Sequence, residues 1–418
     1  MPGLGCFDTC GTAVRAGGRR LRYSCRHGVT HQARMPMSPT AHDNDPHAPV
    51  LVMGAGAIGC YLGGCLQAAG VPVVFVGRPR VLAALREHGL KLADLDGGAQ
   101  QLAADALALH EIVPSGLAPA LVLLAVKSGA TAEAAAQLGA TLPAGTPVVS
   151  MQNGLSNTAT AQAAAPALRV LAGMVPFNIA ELAPGHYHRG TVGELAAQDD
   201  TALRAHLAAF ERAGPPLQLH ADLRAVQWGK LLLNLNNPVN ALSGLPLRAQ
   251  LMECGYRKCL AALQSEALGL LHGAGIAPAQ VAALPPQRIP TLLRLPTPLF
   301  RLIAARMLRI DPKARSSMAD DLTHGRTTEI DALCGEVVRL AAAHGRSAPL
   351  NARMDADRLD YYHRLERERI HLLLIDDARR GLADIAAGRT RDADATIAKL
   401  QQRRAAACAA PKGSKKRS

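Results

Sequence analysis

APVLVMGAGAIG, residues 48–59, is the stretch on which the reading of the fold turns. Its first half is a short apolar run, the pattern of a strand buried on both faces. Its second half sets Gly54, Gly56 and Gly59 in G-x-G-x-x-G spacing and runs into AIGCYLGGCLQAAG, a helical pattern ending at Gly70. Strand, glycine loop and helix in that order make a dinucleotide-binding turn. The first glycine permits the tight turn, the second lets a pyrophosphate approach the backbone, and the third lets helix and strand pack closely. The helix N-terminus then offers unpaired N–H groups to the phosphates. Gly54, Ala55, Gly56, Ala57, Ile58 and Gly59 are the candidate cradle; a glycine-rich structural turn is the plainer alternative.

The text downstream repeats the alternation. VPVVFVGR reads as a second strand and is followed by a helix through VLAALREHG. ALVLLAVK and TPVVSMQNG read as strands flanking an alanine-rich helix over Ala130–Leu142. Strands alternating with helices predict a parallel sheet covered on both faces. At the end of the second strand, nineteen residues after Gly59, stands Arg78. An acidic residue there would bind ribose hydroxyls, whereas an arginine accommodates a 2′-phosphate, so NADPH is the expected cofactor. A solvated loop arginine is the simpler alternative.

After about residue 220 the strand signals fade. Leucine and alanine at period 3.6 predict helices over Gln227–Leu242, Leu247–Ala274, Leu299–Ile310 and Asp320–His344, with the proline-rich 284–300 as a connection. The expected class is α/β: an N-terminal Rossmann-type doubly wound parallel sheet followed by an all-α C-terminal domain. The expected boundaries are a disordered extension over 1–48, an NADP-binding domain over 49–220 and a helical substrate domain over 221–362. A charged helix and basic disordered tail over 363–418 complete the chain.

Composition excludes several classes. Hydrophobic residues make up 49% of the 418 and aromatics 3%, so the core must be aliphatic, and no apolar run is long enough to span a bilayer. The net charge of +13 sits mainly in the ends. Residues 1–49 hold six arginines against three aspartates, and 389–418 hold nine Lys or Arg against two Asp, leaving +3 for the middle. A nucleic-acid-binding stripe is therefore not expected. Nine cysteines without CxxC pairs or zinc spacing give no metal site and fit a reducing cytoplasm. The Arg-rich, acid-poor first residues leave open a transit peptide, or a true start at Met35 or Met37.

WGKLLLNLNNPVN, residues 228–240, puts a lysine and asparagines among leucines. On a helix, Lys230, Asn234 and Asn237 share one face while Leu231, Leu232 and Leu235 fall on another. Asn236 lies outside that stripe, as a cap or a local bonding group. A ketone reduction needs such a face: an alkoxide develops as hydride arrives, and a positioned lysine can stabilise it and supply its proton. A lysine snorkelling to solvent is the alternative. A second polar cluster, RSSMADDLTHGRTTEIDAL, spans 315–333. Ser316 and Ser317 could bind a carboxylate, and a glutamate near Lys230 would keep it protonated. On a continuous helix Ser317 and Glu329 lie about 120° apart, so spacing alone favours a solvated face for this segment.

Together these residues resemble the ketopantoate reductase family. The resemblance rests on VMGAGAIG (52–59), VGR (76–78), AVKS (125–128), MQNG (151–154), WGKLLLNLNNPVNAL (228–242) and SSMADDL with GRTTEIDAL (316–333). It covers roughly residues 49–355. It implies Lys127 and Asn153 beside the cofactor, and Asn153 also facing the substrate. It further implies Lys230 as general acid, Asn234 and Asn237 as substrate amides, Ser317 as a contact to the substrate carboxylate, and Glu329 as a partner to substrate or cofactor. The implied reaction is NADPH-dependent reduction of 2-dehydropantoate, a small-molecule 2-keto acid, to (R)-pantoate in pantothenate biosynthesis; a homodimer is allowed.

Two departures stand out. The interval from Lys230 to the Asn-Pro pair is one residue short of the family pattern, and a further family asparagine would fall near Leu247. Fewer amides point to a related reductase acting on another 2-keto acid. A hydroxyisobutyrate- or phosphogluconate-type dehydrogenase shares a lysine and asparagine on a helix but lacks the SSM and TEID text. A non-catalytic NADPH-binding sensor is the alternative from outside the enzymes.

Overall fold

The computed structural model describes residues 48–305 except Asp96, residues 314–354, and isolated positions between 375 and 388. The expected N-terminal extension, most of the charged C-terminal segment, and 306–310 of the expected helix ending at Ile310 lie outside the described residues. The described residues belong to one compact unit, 45–418.

Twelve strands are present among them. β1 (Val50–Met53), β2 (Val73–Val76), β5 (Ala108–His110), β6 (Leu121–Leu124), β7 (Pro147–Ser150) and β8 (Arg169–Met174) form the parallel body of an eight-stranded sheet. β11 (Leu195–Gln198) and β12 (Leu217–His220) extend it, with β11 antiparallel to β8. The order is β12-β11-β8-β7-β6-β1-β2-β5. The chain leaves β1 toward β2 on one side and returns to β6 on the other, so the topological switch point lies between β1 and β6.

Alternation along each strand supplies a core to both faces. Val50, Val52, Phe75, Leu121, Leu123 and Val149 pack into one apolar layer with helix α1 (Ala57–Ala68). Leu51, Met53, Val122, Leu124 and Val148 pack into the other, with α3 (Thr131–Thr141) and α4 (Asn157–Ala164). α2 (Pro79–His88) follows β2. The sheet is thus doubly wound, and its near-continuous hydrophobic strands follow from that cover. α1 tolerates glycines at 63 and 64 because a Cβ at Gly63 would stand 2.5 Å from Phe75 and one at Gly64 2.7 Å from Leu90.

A second, four-stranded sheet escaped the sequence reading. Its order is β4-β3-β10-β9, from β3 (Leu90–Ala93), β4 (Ala99–Leu102), β9 (Ile179–Ala183) and β10 (His186–Arg189). Its short strands, such as AQQL and IAELA, carry little apolar alternation. Arg189 ties it down, paired with Asp94 and lying 5.4 Å over the Phe177 ring.

The short helices α5 (Thr201–Arg204) and α6 (Leu207–Ala213) precede β12. Beyond it the chain is helical, and three expected helices are broken. The stretch read as Gln227–Leu242 is α7 (Leu223–Asn234) and α8 (Asn236–Ser243), meeting at Leu235. Pro238 is the cause: it lacks the N–H that would bond the Asn234 carbonyl, and its ring crowds that carbonyl. Leu247–Ala274 divides into α9 (Leu247–Met252) and α10 (Cys254–Gly273). α11 (Ile289–Leu293) and α12 (Thr297–Ile303) come from the proline-rich connection and the text after it.

The stretch read as Asp320–His344 is broken more sharply. α13 (Ser317–Thr323) ends before Gly325, at φ +62°. After an irregular segment come one π turn, Asp331–Gly335, then α14 (Glu336–Ala343) and α15 (Pro349–Ala352). The Gly335 N–H reaches the Ile330 carbonyl at 3.4 Å, the five-residue step of a π turn. No described helix is long and apolar enough to cross a membrane.

Candidate active site

The glycine loop sits at the switch point. Gly54 has φ +110°, and a Cβ on it would lie 2.7 Å from the Val126 nitrogen, so the β1 and β6 loops meet there without a side chain. A Cβ on Gly59 would lie 2.1 Å from the Gly54 carbonyl oxygen, so helix and loop touch backbone to backbone. Gly56 differs: a Cβ there would meet nothing within 4 Å. The open space lies at the N-cap of α1, whose first turn, opened by Ala57 and Ile58, carries no acidic residue. Gly54 and Ala55 both donate to the Val76 carbonyl at 2.9 Å, pinning the loop to β2. Two constrained glycines around an open one at a helix start suit a pyrophosphate. Arg78, exposed at the N-cap of α2, stands at the rim of that edge.

The next two strands end in loops that carry the remaining sheet-side groups. Ser128 opens a short 3₁₀ turn after β6, and Asn153 follows β7. A buried polar web braces both loops. Gln152 donates to the Val126 carbonyl at 2.9 Å and the Thr131 hydroxyl at 2.7 Å, and Ser150 donates to Gln152 at 2.8 Å.

Helix α7 brings Lys230 to this edge. Its Nζ donates to Asn153 Oδ1 at 3.1 Å and to the Val175 carbonyl. Asn153 Nδ2 in turn donates to Glu329 Oε2 at 3.1 Å. Glu329 Oε1 accepts from the Ser128 N–H at 3.1 Å and from Ser128 Oγ at 3.0 Å. One amide therefore links the lysine to the glutamate. Lys230 is only partly exposed, and burial pulls its ammonium down to about 8, while the charge of Glu329 acts to raise it. The result is a lysine still mostly protonated at neutral pH and readier than usual to release its proton.

Two small chambers open on either side of Asn153. The first is lined by Lys230, Asn234, Gln227 and Leu231 of α7, with Gln152, Gly154, Met174 and Leu333. The second is lined by Asn237, Ser317, Met318, Asp321, Glu329 and Leu333. Asn153 borders both.

The segment from 321 to 336 straps the helical region to the sheet edge. Asp321 pairs with Lys127 at 2.6 Å, and Lys127 also donates to the Thr327 carbonyl at 3.2 Å. Glu336 accepts from the N–H groups of Leu155 and Ser156 at 3.2 and 2.9 Å and from the Ser156 hydroxyl at 2.5 Å. Burial opposes its charge, but the Ser156 donors and Arg339 outweigh it and hold its pKa below the ordinary carboxylate value.

Two family models match this arrangement of the chain. That for "Ketopantoate reductase PanE/ApbA" matches residues 50–200, and that for its C-terminal part matches 222–354. A 2-dehydropantoate 2-reductase of Halobacterium salinarum is 30% identical over 310 residues, 72% of this chain and 94% of that one. The chain belongs to the ketopantoate reductase family. Among solved structures, a PanE/ApbA family ketopantoate reductase from Ralstonia eutropha JMP134 aligns with TM-score 0.64 and 28% identity. That alignment covers 76% of this chain and 99% of the other. A D-mandelate dehydrogenase solved with NADH and anilino(oxo)acetate aligns with TM-score 0.61, 77% and 99% coverage, and 17% identity, a likeness of fold.

As a ketopantoate reductase family member the chain is a nicotinamide-dependent oxidoreductase. Against that background, three expectations change. Lys230, Asn234 and Asn237 do not form one stripe, because the break at Leu235 sends Asn237 to the second chamber. Ser317 and Glu329 share that chamber, although a continuous helix would have set them apart; the helix ends before Gly325, between them. Asn236 neither caps nor bonds locally: it exchanges amide hydrogen bonds with buried Gln250 at 3.2 and 3.0 Å. Asp321, Leu333, Gln152 and Gln227 went unremarked as site residues. Asp321 was visible as an acid one turn past Ser317, whereas Leu333 looked like ordinary core.

Proposed function

We propose that the chain reduces 2-dehydropantoate to (R)-pantoate with NADPH, in pantothenate biosynthesis, with Lys230 as general acid. The observation that carries this reading is the linked trio Lys230, Asn153 and Glu329 at the carboxyl edge of the sheet. The open N-cap at Gly56 and the exposed Arg78 support a dinucleotide bearing a 2′-phosphate. Bound there, the nicotinamide would supply the hydride for the keto carbon.

The chain's own residues do the rest. Lys230 stabilises the negative charge growing on the keto oxygen and gives it a proton. Asn153 fixes the direction of the ammonium by accepting one of its N–H groups, and Glu329 keeps it charged. Asn234 on one side, and Asn237 and Ser317 on the other, are the groups for the substrate's polar ends. Lys127, held by Asp321 at 2.6 Å, would stand beside the cofactor.

A second reading, a reductase of another 2-keto acid, is favoured by the family pattern's further asparagine falling near Leu247, where this chain has none. NADPH oxidation measured against a panel of 2-keto acids decides between them. Turnover of 2-dehydropantoate that disappears in Lys230→Ala, with NADPH binding kept, is the expected result. Turnover of a different keto acid alone would replace the substrate and keep the mechanism. NADPH binding without any turnover would make the chain a sensor.

A further inference from the structure

Leu333 is the one apolar side chain common to both chambers; the other shared residue, Asn153, is committed to Lys230 and Glu329. The remaining apolar lining is divided, Met174 and Leu231 in one chamber and Met318 in the other. A substrate whose keto group lies at Lys230 and whose ends reach into the two chambers must pass its central carbons over Leu333, whichever end enters which.

The wall is held rigidly. Leu333 is only 2% exposed and sits on the π turn Asp331–Gly335. The preceding carbonyl, of Ala332, would lie 2.9 Å from a Cβ on Gly154, so the turn rests directly on the loop after β7. Arg339 clamps the start of the same turn, with two contacts of 3.0 Å to the Asp331 carboxylate and one of 2.7 Å to its carbonyl. The backbone contact with Gly154 is what holds this wall in place; the Arg339–Asp331 pair is exposed and adds little.

We propose that Leu333 is a specificity-determining residue that gauges the bulk at the carbon next to the reacting keto group. It accepts a compact branched carbon and turns away a flat ring. This rests on the keto-acid reading above and adds to it the residue that sets the size limit. One extra or missing methylene group in such a contact is worth about 10- to 200-fold in selectivity.

The test compares kcat/KM for 2-dehydropantoate and for phenylglyoxylate, with NADPH, in wild type, Leu333→Ala and Leu333→Phe. The expected result is a ratio shifted toward phenylglyoxylate by about tenfold or more in Leu333→Ala and away from it in Leu333→Phe. Leu333→Val, a smaller change, is expected to move the ratio in the same direction as alanine and serves if the alanine variant does not fold. Ratios within twofold of wild type in every folded variant overturn the assignment while leaving the reductase reading intact. Wild type inactive on these two acids and on every other 2-keto acid of the panel overturns that reading, and the assignment with it.

Discussion

The side-chain amide of Asn153 accepts from Lys230 at 3.1 Å on its oxygen and donates to Glu329 at 3.1 Å from its nitrogen. The two ionisable groups come from opposite sides of Gly325 and are joined through a loop of the sheet. An amide can serve both only in one orientation, so each partner fixes the other. This geometry lets Glu329 act on the Lys230 charge without a direct ion pair that would hold the proton too firmly.

The pH profile follows from that coupling. A general acid works only while protonated, so kcat/KM is expected to fall as pH rises through about 8. Glu329→Gln removes the charge that raises the lysine's pKa, and the alkaline limb should move to lower pH. A limb that stays in place, in initial-rate profiles from pH 6 to 10, would assign it to another group.

Stability carries the same signature. Between about 8 in the fold and the ordinary lysine value of 10.5, the unfolded chain holds more protons at this position. Wild type should therefore gain stability relative to Lys230→Met across that window, on the order of 1 kcal/mol per pH unit. Thermal melts of both proteins at pH 7, 8.5 and 10 would read the crossing. A constant difference would mean the buried ammonium is not desolvated.

The glycine loop separates space from strain. Gly56→Ala meets no atom, so its melting temperature should stay near wild type while NADPH affinity falls at least about tenfold in fluorescence titration. Gly59→Ala puts a Cβ 2.1 Å from the Gly54 oxygen and should instead lower stability by about 1–3 kcal/mol.

Arg78→Glu should invert the coenzyme preference. A carboxylate at the end of β2 repels a 2′-phosphate and accepts from ribose hydroxyls. The ratio of kcat/KM for NADPH to that for NADH is expected to fall by about a hundredfold, two of the tenfold steps that 1.4 kcal/mol each represents. An unchanged ratio would return Arg78 to the solvated loop.

In the helical region Arg257 is fully buried and, among the described residues, pairs with no carboxylate. It donates to the carbonyls of Leu251, Met252, Leu293 and Leu295 and lies 4.4 Å over the Phe300 ring. It therefore caps α9 and α11 together. Arg257→Leu removes that donor from all four carbonyls, of which Met252 keeps the Thr297 hydroxyl, and should cost about 2–4 kcal/mol in urea unfolding.

The sequence by itself determined the local structures: the strand and glycine loop of 48–59, the alternation to the end of β7, and the helical character after residue 220. Each of these is written in short-range periodicity and in residues with one conformational use, such as Gly54. It also singled out Lys230, because a lysine among leucines is costly without a task; Asn153, Ser317 and Glu329 came only through the resemblance to the ketopantoate reductase family. Tertiary structure decided their company. The breaks at Leu235 and Gly325 change where the chain points, and a helical wheel drawn across a break has no meaning. The four-stranded sheet and the π turn left no readable pattern either. Their stability comes from contacts distant in the chain: Arg189 with Asp94, Ala332 against Gly154, and Glu336 on the start of α4.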